Sequence, residues 1–159
     1  ILVMQNETNQ QAEAARMGRE LGLRVCYAAA PFDPDSVQQV LPYLDFLILN
    51  AVEAEQLQTE TGHAPGDLPV RDVIVTRGSG GADWYGTAGK EHFPAIKVDP
   101  VDTTGAGDTF TGYVLAGLDR GLPMAQAIAL AIKAGALMVM RHGTADVIPD
   151  LSEVQAFHS

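Results

Sequence analysis

Short, nearly continuous apolar runs alternate along this chain with longer stretches of mixed polar and apolar residues. The run at residues 1–5 (Ile-Leu-Val-Met-Gln) reads as a buried strand. Residues 8–22 then read as a helix, with Ala12, Ala14, Ala15, Met17 and Leu21 as its small-residue face and Gly22 as its stop. Residues 23–27 form the second strand run, and residues 31–34 a Pro-bounded loop after which Asp35 can cap a short helix. Residues 45–49 are the third strand, followed directly by a helix over residues 51–61 that Gly62 ends. A Pro/Gly loop at 63–69 leads to a fourth strand at 72–76. Apolar strands alternating with helices predict a mostly parallel sheet covered on both faces, an α/β fold.

After Thr76 the pattern changes. A glycine turn at 78–81 precedes two short runs, 82–86 and 91–93, spaced as antiparallel strands. Two helices are predicted at about 107–119 and 124–141, with Pro123 in the natural first-turn position of the second, and a short closing helix at 151–157.

Composition narrows the possibilities. A chain of 159 residues with 47% apolar residues is long enough for one domain with a sizeable core. No apolar run approaches a membrane span, and no signal-peptide pattern is present. A net charge of −10 argues against nucleic-acid binding through a basic face, yet leaves local phosphate binding open. Cys26, the single cysteine, cannot form an internal disulfide and reads as a small buried hydrophobe, which fits a reducing cytoplasm. His63, His92, His142 and His158 are scattered without metal-ligand spacing, and Trp84 and Tyr85 read as packing residues.

The candidate chemistry is concentrated in residues 102–110, Asp-Thr-Thr-Gly-Ala-Gly-Asp-Thr-Phe. Gly105 and Gly107 form a flexible turn that opens a helix. The exposed N–H groups at the positive end of a helix dipole suit a phosphate. Asp108 in the same turn can act as a general base beside that anion site, or simply as the N-cap of the helix. Anion hole plus base is the minimum equipment for moving a phosphoryl group onto a hydroxyl. A Rossmann fingerprint is excluded by Phe110, and a P-loop by the missing Gly-Lys-Ser/Thr ending.

This nine-residue string closely resembles the C-terminal signature of the ribokinase-like carbohydrate kinases, the phosphofructokinase-B family. The order of elements extends the resemblance over essentially the whole chain. It implies a ribokinase-like three-layer sandwich with a mostly parallel central sheet. Residues 1–159 would be the C-terminal, nucleotide-binding and catalytic part of one such domain. The N-terminal sugar-binding part and its lid, through which such proteins commonly form homodimers, would lie outside this chain. The chain's opening on an apolar run without an initiator methionine agrees with that expectation.

By the same resemblance, Gly105, Ala106 and Gly107 would hold the transferring phosphate while Asp108 deprotonates the sugar hydroxyl. Asn50 and Glu53, in Asn-Ala-Val-Glu, would hold Mg²⁺ and phosphate. Residue type and spacing alone also allow a capping box between these two. Thr76, Gly78 and Gly80 would contact the phosphates and ribose of ATP, although an ordinary turn has the same glycines. Asp102 and Thr104, with backbone near 141–143, would form a K⁺ site; an Asx-turn is the plain alternative for Asp102. Glu7 would approach the sugar, and Ile132 would pack near adenine in place of the Asn or His of relatives. The implied activity is ATP-dependent phosphorylation of a sugar in the cytoplasm, by a ribokinase or a close relative. Kinases for 2-keto-3-deoxygluconate, fructose, a nucleoside or a vitamin, and a non-catalytic binder, are the alternatives.

Overall fold

Four of the apolar runs pair side by side in chain order. In the computed structural model, which describes residues 1–157 and leaves His158 and Ser159 outside the described residues, β1 (Leu2–Gln5), β2 (Val25–Ala28), β3 (Phe46–Asn50) and β4 (Asp72–Thr76) are adjacent and parallel. The sheet continues through β5 (Ala82–Gly86) and β6 (Gly89–Phe93), giving six strands in the order β1-β2-β3-β4-β5-β6. Two residues separate β5 from β6, a connection that only an antiparallel pair permits.

Because β1 to β4 follow one another without reversal, right-handed crossovers carry α1 (Gln11–Glu20), α2 (Pro34–Val40) and α3 (Ala51–Thr61) to one face of the sheet. Val25, Tyr27, Leu47, Leu49, Val73 and Val75 meet Ala15, Val37, Val40, Ala54 and Leu57 of these helices in one apolar core. The opposite face is also buried, at Cys26, Ile48 and Ile74. Burial of both faces explains why these strands read as continuous apolar runs and not as alternation. Burial also pushes the Cys26 thiol up to about 12, in keeping with an inert core residue.

Several boundaries differ from the sequence reading. β1 is not buried: it is an edge strand of this sheet, and Val3 is 51% exposed. Helix α1 turns Ala15 and Gly18 inward and leaves Met17, and Leu21 at its C-cap, exposed; Gly18 lies so close to Leu2 and Val25 that a Cβ would not fit without adjustment. Asp33, not Asp35, caps α2, accepting the Ser36 amide at 2.8 Å. Pro123 stands at the N-cap of the last long helix, Met124–Val139, one residue before its first turn.

The described residues form two compact units. One comprises Ile1–Arg77 and Asp83–His92; the other comprises Gly78–Ala82 and the residues from Phe93 onward. In the second, α4 (Ala106–Asp119) and α5 (Met124–Val139) form a helical hairpin, with Gly117 allowing a close approach to Ala127, and α6 (Leu151–Ala156) follows. Phe110, Val114 and Leu118 of α4 are buried, as are Ala127, Ile128, Ala131 and Met138 of α5. Arg141 ties the end of this segment together through the Val147 carbonyl at 3.0 Å and Glu153 at 2.6 Å. Among the described residues no helix is long and apolar enough to cross a membrane.

Candidate active site

The glycine turn of residues 105–108 takes a specific form. Gly105 is the N-cap of α4 with φ +75°, a left-handed conformation that suits glycine. Asp108 is therefore not the N-cap; it lies in the first helical turn, with its residue exposed to solvent. The Ala106 amide closes the turn on the Thr103 carbonyl at 3.3 Å, and the Thr109 amide bonds the Gly105 carbonyl at 2.9 Å. Gly107 is exposed between them, at a position where a helix leaves its N–H without an intrahelical acceptor. An anion near this turn would meet the positive end of α4 beside a carboxylate.

Asp102 organises the preceding loop. Its carboxylate accepts the Thr104 amide at 2.9 Å, the Asx-turn that residue type allowed. Hydrogen bonds from Thr104 above all, with further help from the Gly143 amide and the His142 charge, hold the Asp102 carboxyl below its ordinary value. The amides of Val101 and Asp102 both reach the Val139 carbonyl, at 2.7 and 3.1 Å, which anchors the loop to the end of α5. Asp102, Thr104 and the backbone at Gly143 are thus brought together. Ile132 is half-buried on α5.

The other unit carries its candidate residues at the C-terminal ends of parallel strands, where open α/β sheets bind ligands. Asn50 ends β3, Thr76 ends β4, and the two are register partners. Glu7 is exposed two residues beyond β1. Asn50 and Glu53 form a capping box: the Glu53 amide donates to Asn50 Oδ1 at 2.9 Å, and the Asn50 amide donates to Glu53 Oε2 at 2.8 Å. Burial raises the Glu53 carboxyl above its ordinary value, and the Asn50 amide partly offsets this. Glu53 engages the backbone through Oε2 and keeps Oε1, so its capping role is compatible with contact to a hydrated cation, whereas Asn50 keeps only a donor amide besides its capping oxygen. Gly78 and Gly80, in the second unit, bound a single 3₁₀ turn closed by the Gly81 amide on the Gly78 carbonyl at 3.0 Å. Among the described residues no cluster of three or more His, Cys, Asp or Glu is arranged for a metal ion.

Comparison with known proteins bears on the family and the fold. The family model described as pfkB family carbohydrate kinase matches residues 3–151. The chain belongs to the pfkB family of carbohydrate kinases. It is 30% identical to a ribokinase of Lactococcus lactis over 98% of this chain and 53% of that protein. The crystal structure of a ribokinase from Thermotoga maritima, 30% identical, superposes with a TM-score of 0.85 over 98% of this chain and 55% of its own. Aminoimidazole riboside kinase from Salmonella enterica, solved with aminoimidazole riboside and an ATP analogue, is 27% identical, with a TM-score of 0.84 over 96% of this chain and 60% of its own. The chain spans about half the length of the curated relatives it matches.

Sequence reading of this pfkB-family chain missed one group. Asp83 on β5 is buried and accepts Arg77 Nε at 2.6 Å, Lys90 Nζ at 2.9 Å and His92 Nδ1 at 2.7 Å. His92 is therefore not simply a scattered histidine. Lys90 and His92 alternate on β6, and the pairing of β5 with β6 brings that face to Asp83; the available signal was the period-2 spacing of Lys90 and His92. Trp84 packs and also donates to Asp72 at 2.8 Å. The Lys90 ammonium lies 5.5 Å from the centre of the Tyr85 ring.

Proposed function

We propose that this chain is the nucleotide-binding and catalytic part of a longer ATP-dependent kinase that phosphorylates a sugar hydroxyl, D-ribose being the first candidate. The observation that carries this reading is the Gly105–Asp108 turn, which puts an exposed carboxylate and helix-terminal amides in one turn. Asp108 takes the proton of the acceptor hydroxyl as its oxygen attacks the γ-phosphorus of ATP. The bond to the bridging oxygen breaks, and ADP leaves. The amides of Gly105, Ala106 and Gly107 face the negative charge of the transferring group, in proportions set by how far Ala106 releases Thr103.

Thr76, Gly78 and Gly80 contact the nucleotide, and Glu7 accepts hydrogen bonds from sugar hydroxyls. Asn50 and Glu53 would hold Mg²⁺ through its waters by their side-chain oxygens, and the ion would supply neutralisation of nucleotide phosphate charge. Asp102 and Thr104 would hold K⁺, whose charge would support the loop that carries the turn. The ribokinase relatives support ribose as acceptor, while the aminoimidazole riboside kinase supports a riboside as the second reading. A cytoplasmic enzyme, paired through a lid outside this chain, belongs to the same proposal.

The test is ADP release by the full-length protein with MgATP and K⁺ over a panel of pentoses, hexoses, keto-deoxy acids, nucleosides and vitamins. Turnover of one sugar or riboside, lowered about 100- to 10,000-fold by Asp108→Asn with ATP binding retained, is the expected result. Turnover in Asp108→Asn within two-fold of wild type would remove Asp108 from the role of base. Turnover of a vitamin alone, or ATP binding without any turnover, would remove the sugar-kinase reading.

A further inference from the structure

A buried carboxylate with more cations than it needs is unusual in a chain with a net charge of −10. Asp83 is 2% exposed, whereas the side chains of Arg77, Lys90 and His92 are 41%, 49% and 51% exposed. The carboxylate lies beneath and the cationic heads lie above it, at the surface. Arg77 and Lys90 contribute two permanent positive charges against one negative charge, before His92 is counted. Asp83 is the acid in the ion pair of each. Arg77 and Lys90 also engage the Tyr85 side chain, yet a guanidinium with five N–H groups and an ammonium with three keep donors beyond Asp83 and Tyr85. Strand alternation turns Glu91 to the other face of β6, away from Lys90 and His92.

Arg77 directly follows Thr76, the last residue of β4, so the cluster adjoins the strand end where a parallel sheet presents ligands. Asp83 holds a guanidinium, an ammonium and an imidazole side by side with their outer atoms near solvent, and N–H donors grouped in this way suit an oxyanion.

We propose that Arg77, Lys90 and His92, held in place by Asp83, form a binding site for a phosphate-type oxyanion. Its source is either free inorganic phosphate or the phosphate tail of a nucleotide; the nucleotide arm rests on the kinase reading above, and the phosphate arm does not. Arg77 supplies guanidinium N–H groups, and Lys90 supplies a compact charge on an exposed stem. Asp83 is a positioning residue that need not touch the ligand.

The test is calorimetric titration of the full-length protein with inorganic phosphate, alone and with saturating ADP. Losing one charge-assisted contact in Lys90→Gln should weaken the binding at this cluster roughly ten-fold or more, while Lys90→Arg retains it. Unchanged thermal unfolding of Lys90→Gln separates lost binding from lost fold. Phosphate that still binds beside ADP, in a Lys90-dependent way, identifies a free-oxyanion site. Competition between phosphate and ADP, with both weakened by Lys90→Gln, identifies the nucleotide tail. If phosphate does not bind at millimolar concentration, or binds equally well to Lys90→Gln, the proposal is overturned. Neither result depends on finding the sugar substrate.

Discussion

Replacing Asp83 by Asn tests the energetics of the cation cluster directly, because the amide keeps the shape and removes the charge. Burial opposes ionisation of Asp83 most strongly, but hydrogen bonds from His92, Lys90 and Arg77 together outweigh it and bring the carboxyl from 3.8 to about 2. At about 1.4 kcal/mol per pH unit, that lowering corresponds to about 2.5 kcal/mol of folding free energy in neutral solution. The cationic heads are half exposed, so solvent and salt screen the attraction, and roughly 1–2 kcal/mol is the expected loss in Asp83→Asn at pH 7. The folded-state pKa is depressed, so the stabilisation is complete above the unfolded value of 3.8 and is lost as pH falls through about 2. The gap between wild type and Asp83→Asn, measured by urea unfolding, should be constant from pH 7 to 5 and fall to roughly half at pH 3. It should also narrow in 1 M NaCl. A variant as stable as wild type at pH 7 would mean that the cost of burying Asp83 cancels its interactions with Arg77, Lys90 and His92, and a gap that does not change with pH would refute the electrostatic account.

Two glycines offer independent checks. Gly81→Ala would put a Cβ 2.0 Å from the Phe93 carbonyl oxygen and 2.7 Å from the Ala95 nitrogen, at φ +92°; these are backbone atoms that cannot turn aside. It should cost about 3 kcal/mol or more by urea unfolding, and a loss below 1 kcal/mol would contradict the close packing. Gly105→Ala meets only the flexible end of Met138, at 3.3 Å, so its penalty is the left-handed φ of +75° alone, about 1–2 kcal/mol. If the turn binds phosphate, the same variant should lose turnover by far more than its loss of stability explains, and equal, small losses in both would count against the anion hole.

Local patterns carried much of the fold and the candidate site. The apolar runs specified β2, β3 and β4 because strands covered on both faces need no polar residues. Helix α3 was legible to the residue, since Asn50 and Glu53 cap its start and Gly62 takes a left-handed φ of +72° at its end. The Asp102–Phe110 string marked the turn and the helix behind it, because a left-handed N-cap such as Gly105 favours glycine.

What depended on distance along the chain was not legible. The exposure of Val3 on β1 and of Met17 and Leu21 on α1 follows from which neighbours each element meets, and hydrophobicity alone does not encode that. Asp108 reads equally well as an N-cap or a first-turn residue until the backbone puts Gly105 at the cap. The Asp83 cluster needs β5 and β6 to pair before Lys90 and His92 reach a carboxylate seven and nine residues away. The sequence by itself determined most elements, the capping box of α3 and the glycine turn before α4, because those rest on interactions within a few residues. Tertiary structure decided which apolar side chains are covered and which charges meet, because burial and Coulomb energy depend on distance in space.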